Sequence, residues 1–245
     1  MKLIAHRGAS VICRENTVKA LNKGAQIGAY AVECDLRLTK DNRFVLFHDD
    51  DLKRLANDER FVKDITYEQM KKALANVNIE LTSLEDLKSE YNGDSYVLFD
   101  LSNGGEIKSN AKRYEIDDEF VAMIKSLPFK VILGVHNLKE AEYVVKHFSG
   151  EQILAFMEDE NKYEEYYNLG VKNIRLWESW LNRVTPLDVK AKCPGANVWI
   201  MAGNKKTGND GDANSLNYFR KSGADGVLLN DIQMAVDWHK QCFFS

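Results

Sequence analysis

The chain has 245 residues, with 33 Lys and Arg against 37 Asp and Glu and a formal charge of −4, which argues against the clustered positive charge needed for nucleic-acid or polybasic membrane contacts. Hydrophobic residues at 44% and charged residues at 29% are those of a soluble globular chain, and no segment approaches the roughly 18 apolar residues of a membrane span. With 3 Pro, 15 Gly and no Gly-, Ser- or Pro-rich run to divide it, residues 1–245 read as a single domain.

Short β-rich apolar runs alternate with helical patterns along the whole length. The predicted strands are Lys2 to Ala5, Ala31 to Leu36, Tyr96 to Leu101, Lys130 to Val135, Gln152 to Phe156, Val171 to Arg175, Asn197 to Met201 and Gly226 to Leu229. Between them, Glu15 to Ile27, Asn137 to Phe148, Asp159 to Asn168 and Asn214 to Ser222 repeat apolar residues at helical spacing. A further apolar run, Phe44 to Phe47, follows the turn residues Thr39 to Asn42 and predicts a hairpin after strand two. The stretch Asp49 to Ser95 is expected to hold two short helices capped by Thr66 and Ser83.

Eight βα units in about 250 residues is the usual size of a TIM barrel. The expected fold is therefore α/β, a TIM (β/α)8 barrel with a small hairpin and helical insertion after strand 2. A doubly wound open sheet is the competing arrangement, but the first unit has no G-x-G-x-x-G turn, and Gly8 alone does not make one.

Cys13, Cys34, Cys193 and Cys242 form no C-x-x-C pair and read as reduced thiols. His239, Cys242 and Cys193 are weak evidence for zinc, having no paired knuckle. Gly208 to Asn214 has the composition of a calcium loop, but Lys221 falls where the bidentate Glu would stand, and the segment reads as a solvated turn. The N-terminus MKLIAHRG shows no apolar leader core. The expected location is the cytoplasm, a leader removed from the chain being the other reading.

In a barrel, function sits at the C-terminal ends of the strands. Glu33 and Asp35, two residues apart, share the inward face of strand two, with Cys34 turned towards the helices. Two carboxylates this close are costly unless a cation neutralises them. Mg²⁺ or Ca²⁺ fits best, with Asp100 on the next strand as third ligand; the competing reading is a structural salt-bridge network with Arg37. His6 and His48 each stand where a strand empties into a loop and can divide general acid and base work. Arg7 either contacts phosphate through its planar guanidinium or pairs with Glu15. A metal site, an Arg and two His together point to phosphoryl chemistry.

Ala5-His6-Arg7-Gly8, Glu15-Asn16-Thr17, Glu33-Cys34-Asp35, Thr39-Lys40-Asp41 and Val45-Leu46-Phe47-His48-Asp49 follow one another within residues 4 to 54. In order and spacing they closely resemble the N-terminal signature of the glycerophosphodiester phosphodiesterases. Val198-Trp199 and Ser222 to Asn230 are similar to the family's strand seven and strand eight patterns, and the middle of the chain matches in its βα rhythm. The resemblance implies a hydrolase of lipid metabolism that cleaves glycerophosphodiesters to glycerol 3-phosphate and an alcohol, with a glycerol hydroxyl as internal nucleophile before water completes hydrolysis. It implies His6 and His48 as the acid–base pair, Arg7 on phosphate, Glu15 in the phosphate and metal region, and Glu33, Asp35 and Asp100 around one divalent cation, Mg²⁺ or Ca²⁺. Trp199, where the family often has an aromatic, would wall the alcohol part of the substrate, and Trp177 is a second candidate. The implied partner is a small-molecule phosphodiester, without nucleic acid.

Three positions depart from the family. Asp100 stands where Glu is usual, one carbon–carbon bond or about 1.5 Å shorter, as in the related sphingomyelinase D-like enzymes. Ser102 replaces the usual Lys, with Lys205, Lys206 and Arg175 as candidates to supply the missing charge, and Asn230 stands where Asp is frequent. His136 and Glu158 are expected near the mouth. The alternatives to hydrolysis are a sphingomyelinase D-like lyase that forms a cyclic phosphate and a barrel that binds phosphorylated ligands without turnover.

Overall fold

In the computed structural model, which describes residues 1–101, 114–203 and 211–244, the described residues run through eleven strands and ten α-helices. The first part comprises β1 (Lys2–Ala5), α1 (Val18–Ile27), β2 (Ala31–Leu38), β3 (Phe44–Leu46), β4 (Asp51–Leu52), α2 (Lys53–Ala56), β5 (Asp58–Phe61), α3 (Tyr67–Ala75) and α4 (Leu84–Glu90). It continues with β6 (Tyr96–Asp100), α5 (Asp118–Lys125), β7 (Val131–Val135), α6 (Leu138–Val144), β8 (Ile153–Ala155), α7 (Tyr163–Leu169) and β9 (Asn173–Trp177). The last elements are α8 (Pro186–Lys192), β10 (Asn197–Met201), α9 (Ala213–Lys221), β11 (Gly226–Leu229) and α10 (Ile232–Phe244).

Strands β1, β2 and β6 to β11 form a parallel sheet that closes on itself, because β1 pairs with β11 on one side and with β2 on the other. This is the expected TIM barrel. Period-two alternation sorts the side chains: Leu3, Val32, Cys34, Val97, Phe99 and Leu133 pack outward against the helices. Ile4, Ala31, Leu98, Ile132, Leu154, Phe156, Trp199 and Leu228 fill the interior. Two glycines make room for the largest of these. A Cβ on Gly134 would lie 2.4 Å from the Phe156 ring, and one on Gly226 would lie 3.0 Å from the Trp199 indole.

The insertion after β2 is more elaborate than the sequence suggests. Strand β3 returns antiparallel along β2, with Leu36 opposite Leu46; a β4–β5 hairpin and the short helix α2 follow. Helices α3 and α4 carry the expected caps, both as reciprocal capping boxes, Thr66 with Gln69 and Ser83 with Asp86. The insertion has a small core of its own built on Phe47, Leu52, Val62, Met70 and Leu74. Its function for the site is local: the β2–β3 return brings His48 back to the strand that carries Asp35, with the Phe47 N–H donating to the Asp35 carbonyl at 3.0 Å.

Candidate active site

Glu33 and Asp35 on β2 and Asp100 at the end of β6 are all buried, and one ligand atom from each lies within 4.8 Å of the others. Burial, followed by the charges of Asp35 and Asp100, pushes the Glu33 carboxyl well above the usual carboxylate range. Such a cluster resists full ionisation unless a cation joins it, and an all-oxygen set of this kind fits a hard divalent ion. It is the one such grouping among the described residues. Arg37, the partner in the competing salt-bridge reading, is engaged elsewhere: it pairs with Asp50 at 2.6 Å and donates to the His48 carbonyl oxygen, so it fixes the His48 loop.

The β1–α1 connection anchors the carboxylates. Arg7 has φ 57° and Gly8 φ 78°, and a Cβ on Gly8 would lie 2.6 Å from the Ala20 backbone, so only glycine fits the second position of this turn. The turn aims the Arg7 backbone N–H at Glu33 Oε2, 2.7 Å away. The Arg7 guanidinium lies 3.3 Å from Asp35 and 3.2 Å from Glu15. Asn16, buried and also left-handed at φ 55°, exchanges two hydrogen bonds with Asp35. The sequence reading used Asn16 only as part of a motif; its signal was the residue type most tolerant of that backbone region apart from Gly. Thr17 then caps α1, which is why the helix begins at Val18 rather than Glu15.

The two histidines differ in their partners. His6 Nδ1 faces Asn230 Oδ1 at 2.8 Å, an assignment that puts the proton on Nδ1, while Nε2 lies 3.9 Å from Glu33. Burial and then the Arg7 charge lower the His6 pKa to about 4. His48 Nδ1 donates to Asp49 Oδ1 at 2.6 Å. Asp49 also accepts from Arg54 Nε at 2.6 Å, and Arg54 reaches Glu15 at 2.5 Å. Against the opposing effect of burial, the hydrogen bonds from His48 and Arg54 take the Asp49 pKa down to about 2. A continuous chain of charge thus runs His48, Asp49, Arg54, Glu15, Arg7, Asp35. Neither Arg54 nor Asn230 was given such a role by the sequence reading, since both partnerships depend on tertiary placement.

His6, Arg7, Glu33, Asp35, His48, Asp100 and Asn230 open into one cavity of about 520 Å³ at the C-terminal end of the barrel, which also takes in His136, Phe156, Glu158, Arg175, Trp177 and Met201. His136 and Glu158 are thus at the mouth as expected, and His136 Nε2 donates to Asp100 Oδ1 at 2.6 Å. Trp199 is a correction. It is 0% exposed, sits inside the barrel with Tyr30 edge-on and Lys2 over its ring, and does not line the cavity. Two residues along the strand explain this: Trp199 pairs with Arg175 and Gly226, one inward layer below Trp177 and Met201. Trp177, 37% exposed, is the aromatic at the mouth. Cys34 and Cys193 are buried and all four cysteines are free thiols. Ser102, Lys205 and Lys206 lie outside the described residues, as do Gly208, Asn209 and Asp210, whereas Asp212 of the same segment caps α9 by accepting from the Ser215 N–H. No described helix is long and apolar enough to cross a membrane.

The model of the glycerophosphoryl diester phosphodiesterase family matches residues 6–207. An uncharacterized Bacillus subtilis protein, YqiK, is 34% identical over 146 residues, covering 56% of this chain and 58% of its own length. A glycerophosphodiester phosphodiesterase of Caldanaerobacter subterraneus is 34% identical over 157 residues, covering 59% of this chain and 63% of that protein. The matched segments therefore span about three fifths of these relatives. Among solved structures, the glycerophosphodiester phosphodiesterase of Thermotoga maritima superposes with a TM-score of 0.74 at 20% identity over 96% of each chain. An Oleispira antarctica phosphodiesterase in complex with the product sn-glycerol-3-phosphate gives 0.70 at 20% identity, over 98% of this chain and 97% of that one. At such identity the likeness is one of fold.

Proposed function

This chain belongs to the glycerophosphoryl diester phosphodiesterase family, and on that premise we propose that it is a divalent-metal-dependent phosphodiesterase that converts glycerophosphodiesters to glycerol 3-phosphate and an alcohol. The observation that carries the reading is the convergence of three buried carboxylates, two histidines and Arg7 on one cavity. Glu33, Asp35 and Asp100 hold the cation, Mg²⁺ or Ca²⁺. When bound, it offsets the charge of the phosphate oxygens and makes the phosphorus a better electrophile.

The partners of the histidines support a division of roles. His6 faces a neutral amide through Nδ1, which leaves Nε2 as the proton acceptor for the attacking glycerol hydroxyl. His48 is oriented by its Nδ1 bond to the Asp49 carboxylate and delivers a proton to the leaving alcohol; it then accepts one from the water that opens the cyclic phosphodiester so formed, while His6 returns its proton to the glycerol oxygen and glycerol 3-phosphate is released. Arg7 presents its guanidinium to the phosphate, and Glu15 with Arg54 keeps that guanidinium in place.

The test is release of glycerol 3-phosphate from a panel of glycerophosphodiesters by EDTA-stripped protein, before and after addition of Mg²⁺, Ca²⁺ or Mn²⁺. Metal-restored release is the expected result, with His6→Ala and His48→Ala each reducing turnover by about 10² to 10⁴. Folded protein that releases no product with any cation overturns the reading. ³¹P NMR of the same reactions separates hydrolysis from lyase chemistry, which would leave a persistent cyclic phosphodiester.

A further inference from the structure

Arg175 is the buried cation of the cavity that the proposed chemistry does not use. It sits on β9, four strands from β2 in either direction around the closed barrel, and thus across the mouth from Glu33 and Asp35. It is 2% exposed, yet it lines the cavity. Its guanidinium packs on two rings, with Cζ 4.9 Å from the Phe156 centroid and 4.2 Å from that of Trp177. Nη2 donates to the Met157 carbonyl at 3.2 Å, whereas Nε and Nη1 have no hydrogen-bond partner.

No carboxylate among the described residues lies within ion-pair distance of Arg175, although the charges of Asp100, Glu158 and Glu178 reach it. Burial lowers its pKa to about 10, which leaves it charged at neutral pH. A buried, charged donor without an acceptor is unfavourable, and such groups are retained where a ligand completes them. The planar guanidinium, packed on Phe156 and Trp177 and bonded to the Met157 carbonyl, is pre-organised for an oxyanion. Its stacking on Trp177 also opposes a cationic group at that ring.

We propose that Arg175 is an anion-recognition residue of this cavity, taking a phosphate or carboxylate oxygen of the ligand on the side opposite the acidic cluster. The nature of that ligand as a phosphodiester rests on the function proposed above. Two sources of the oxyanion have the same chemistry: the phosphate that is cleaved, or an acidic group on the departing alcohol.

Wild-type protein, Arg175→Met and Arg175→Lys are compared in two experiments, with a thermal melt to establish folding. In the first, inorganic phosphate is titrated while Trp fluorescence is followed, which requires no turnover. The expected result is saturable binding by the wild type, at least about tenfold weaker in Arg175→Met and intermediate in Arg175→Lys. In the second, kcat/KM is measured for glycerophosphoglycerol, with a neutral head group, and glycerophosphoserine, which bears a carboxylate. An equal loss on both in Arg175→Met assigns the residue to the cleaved phosphate; a loss confined to glycerophosphoserine assigns it to the head group. Phosphate binding that is absent in the wild type or unchanged in folded Arg175→Met overturns the proposal. Wild-type phosphate binding that Arg175→Met weakens, without turnover of any diester, would refute the phosphodiesterase reading and leave anion recognition standing.

Discussion

Asn16 and Asp35 are joined by two opposed hydrogen bonds: Asn16 Nδ2 donates to Asp35 Oδ2 at 2.9 Å, and the Asp35 backbone N–H donates to Asn16 Oδ1 at 3.0 Å. The loop after β1 therefore fixes both the backbone and the carboxylate of a β2 residue. Glu33 is held from the same loop by the Arg7 N–H. The acidic cluster is thus shaped by protein donors, which reduces the rearrangement needed when a cation enters.

Asn16→Ala removes both bonds and places a residue with a Cβ but no polar side chain in a left-handed conformation, φ 55° in the native chain. The expected loss is about 2–4 kcal/mol, from two buried hydrogen bonds and the backbone cost, read from urea unfolding of the metal-free protein. Divalent-ion affinity measured by calorimetry should fall in the same variant. Unchanged stability and affinity would show that Asp35 is positioned by other contacts.

Arg54 links the partner of His48 to the partner of Arg7, through Asp49 and Glu15. It is 46% exposed at its side chain, so the ion pairs add little to global stability. Their expected effect is on geometry. Arg54→Ala should lower kcat by about 10- to 100-fold, the range seen when a second layer of support is removed, with the melting temperature nearly unchanged. Arg54→Lys, which keeps the charge but not the fork, should recover part of the loss. Full activity in Arg54→Ala would reduce the chain from His48 to Asp35 to a surface network.

Much of this arrangement was legible from local pattern. Strand alternation placed Glu33 and Asp35 inward and Cys34 outward, because a two-residue period is a property of the backbone itself. Thr66 and Ser83 as caps were legible for the same reason. Trp199 was misplaced because barrel shear decides which inward layer a residue joins, and the offset between neighbouring strands is not encoded in either strand alone. Asn230, Arg54 and Arg37 became functional only through partners 224, 39 and 11 residues away, which no local periodicity reports. Helix α7 starts at Tyr163 rather than Asp159 because Asp159 spends its carboxylate on the Asn161 N–H in the preceding turn.

Glu33 makes the stability of the metal-free protein depend on pH with a defined sign. Its pKa in the folded chain is raised well above the ordinary 4.5, first by burial and then by Asp35 and Asp100. Between the ordinary value and the raised one, the folded state holds a proton that the unfolded state has released. The slope of unfolding free energy with pH is then negative, and stability is lost as pH rises through that window. His6, lowered to about 4 from 6.5 by burial, contributes the opposite slope below its ordinary value, since there the unfolded chain takes the extra proton. The difference between wild type and Glu33→Gln isolates the carboxylate. EDTA-treated wild type should lose melting temperature relative to Glu33→Gln as pH is raised from about 5 to about 8. A divalent cation displaces the same proton, so its affinity for the wild type should rise with pH over the same interval and its stabilising effect should be greatest at the alkaline end. Parallel melting curves for the two metal-free proteins across this range would contradict a raised Glu33 pKa, and cation binding independent of pH would remove Glu33 from the ligand set.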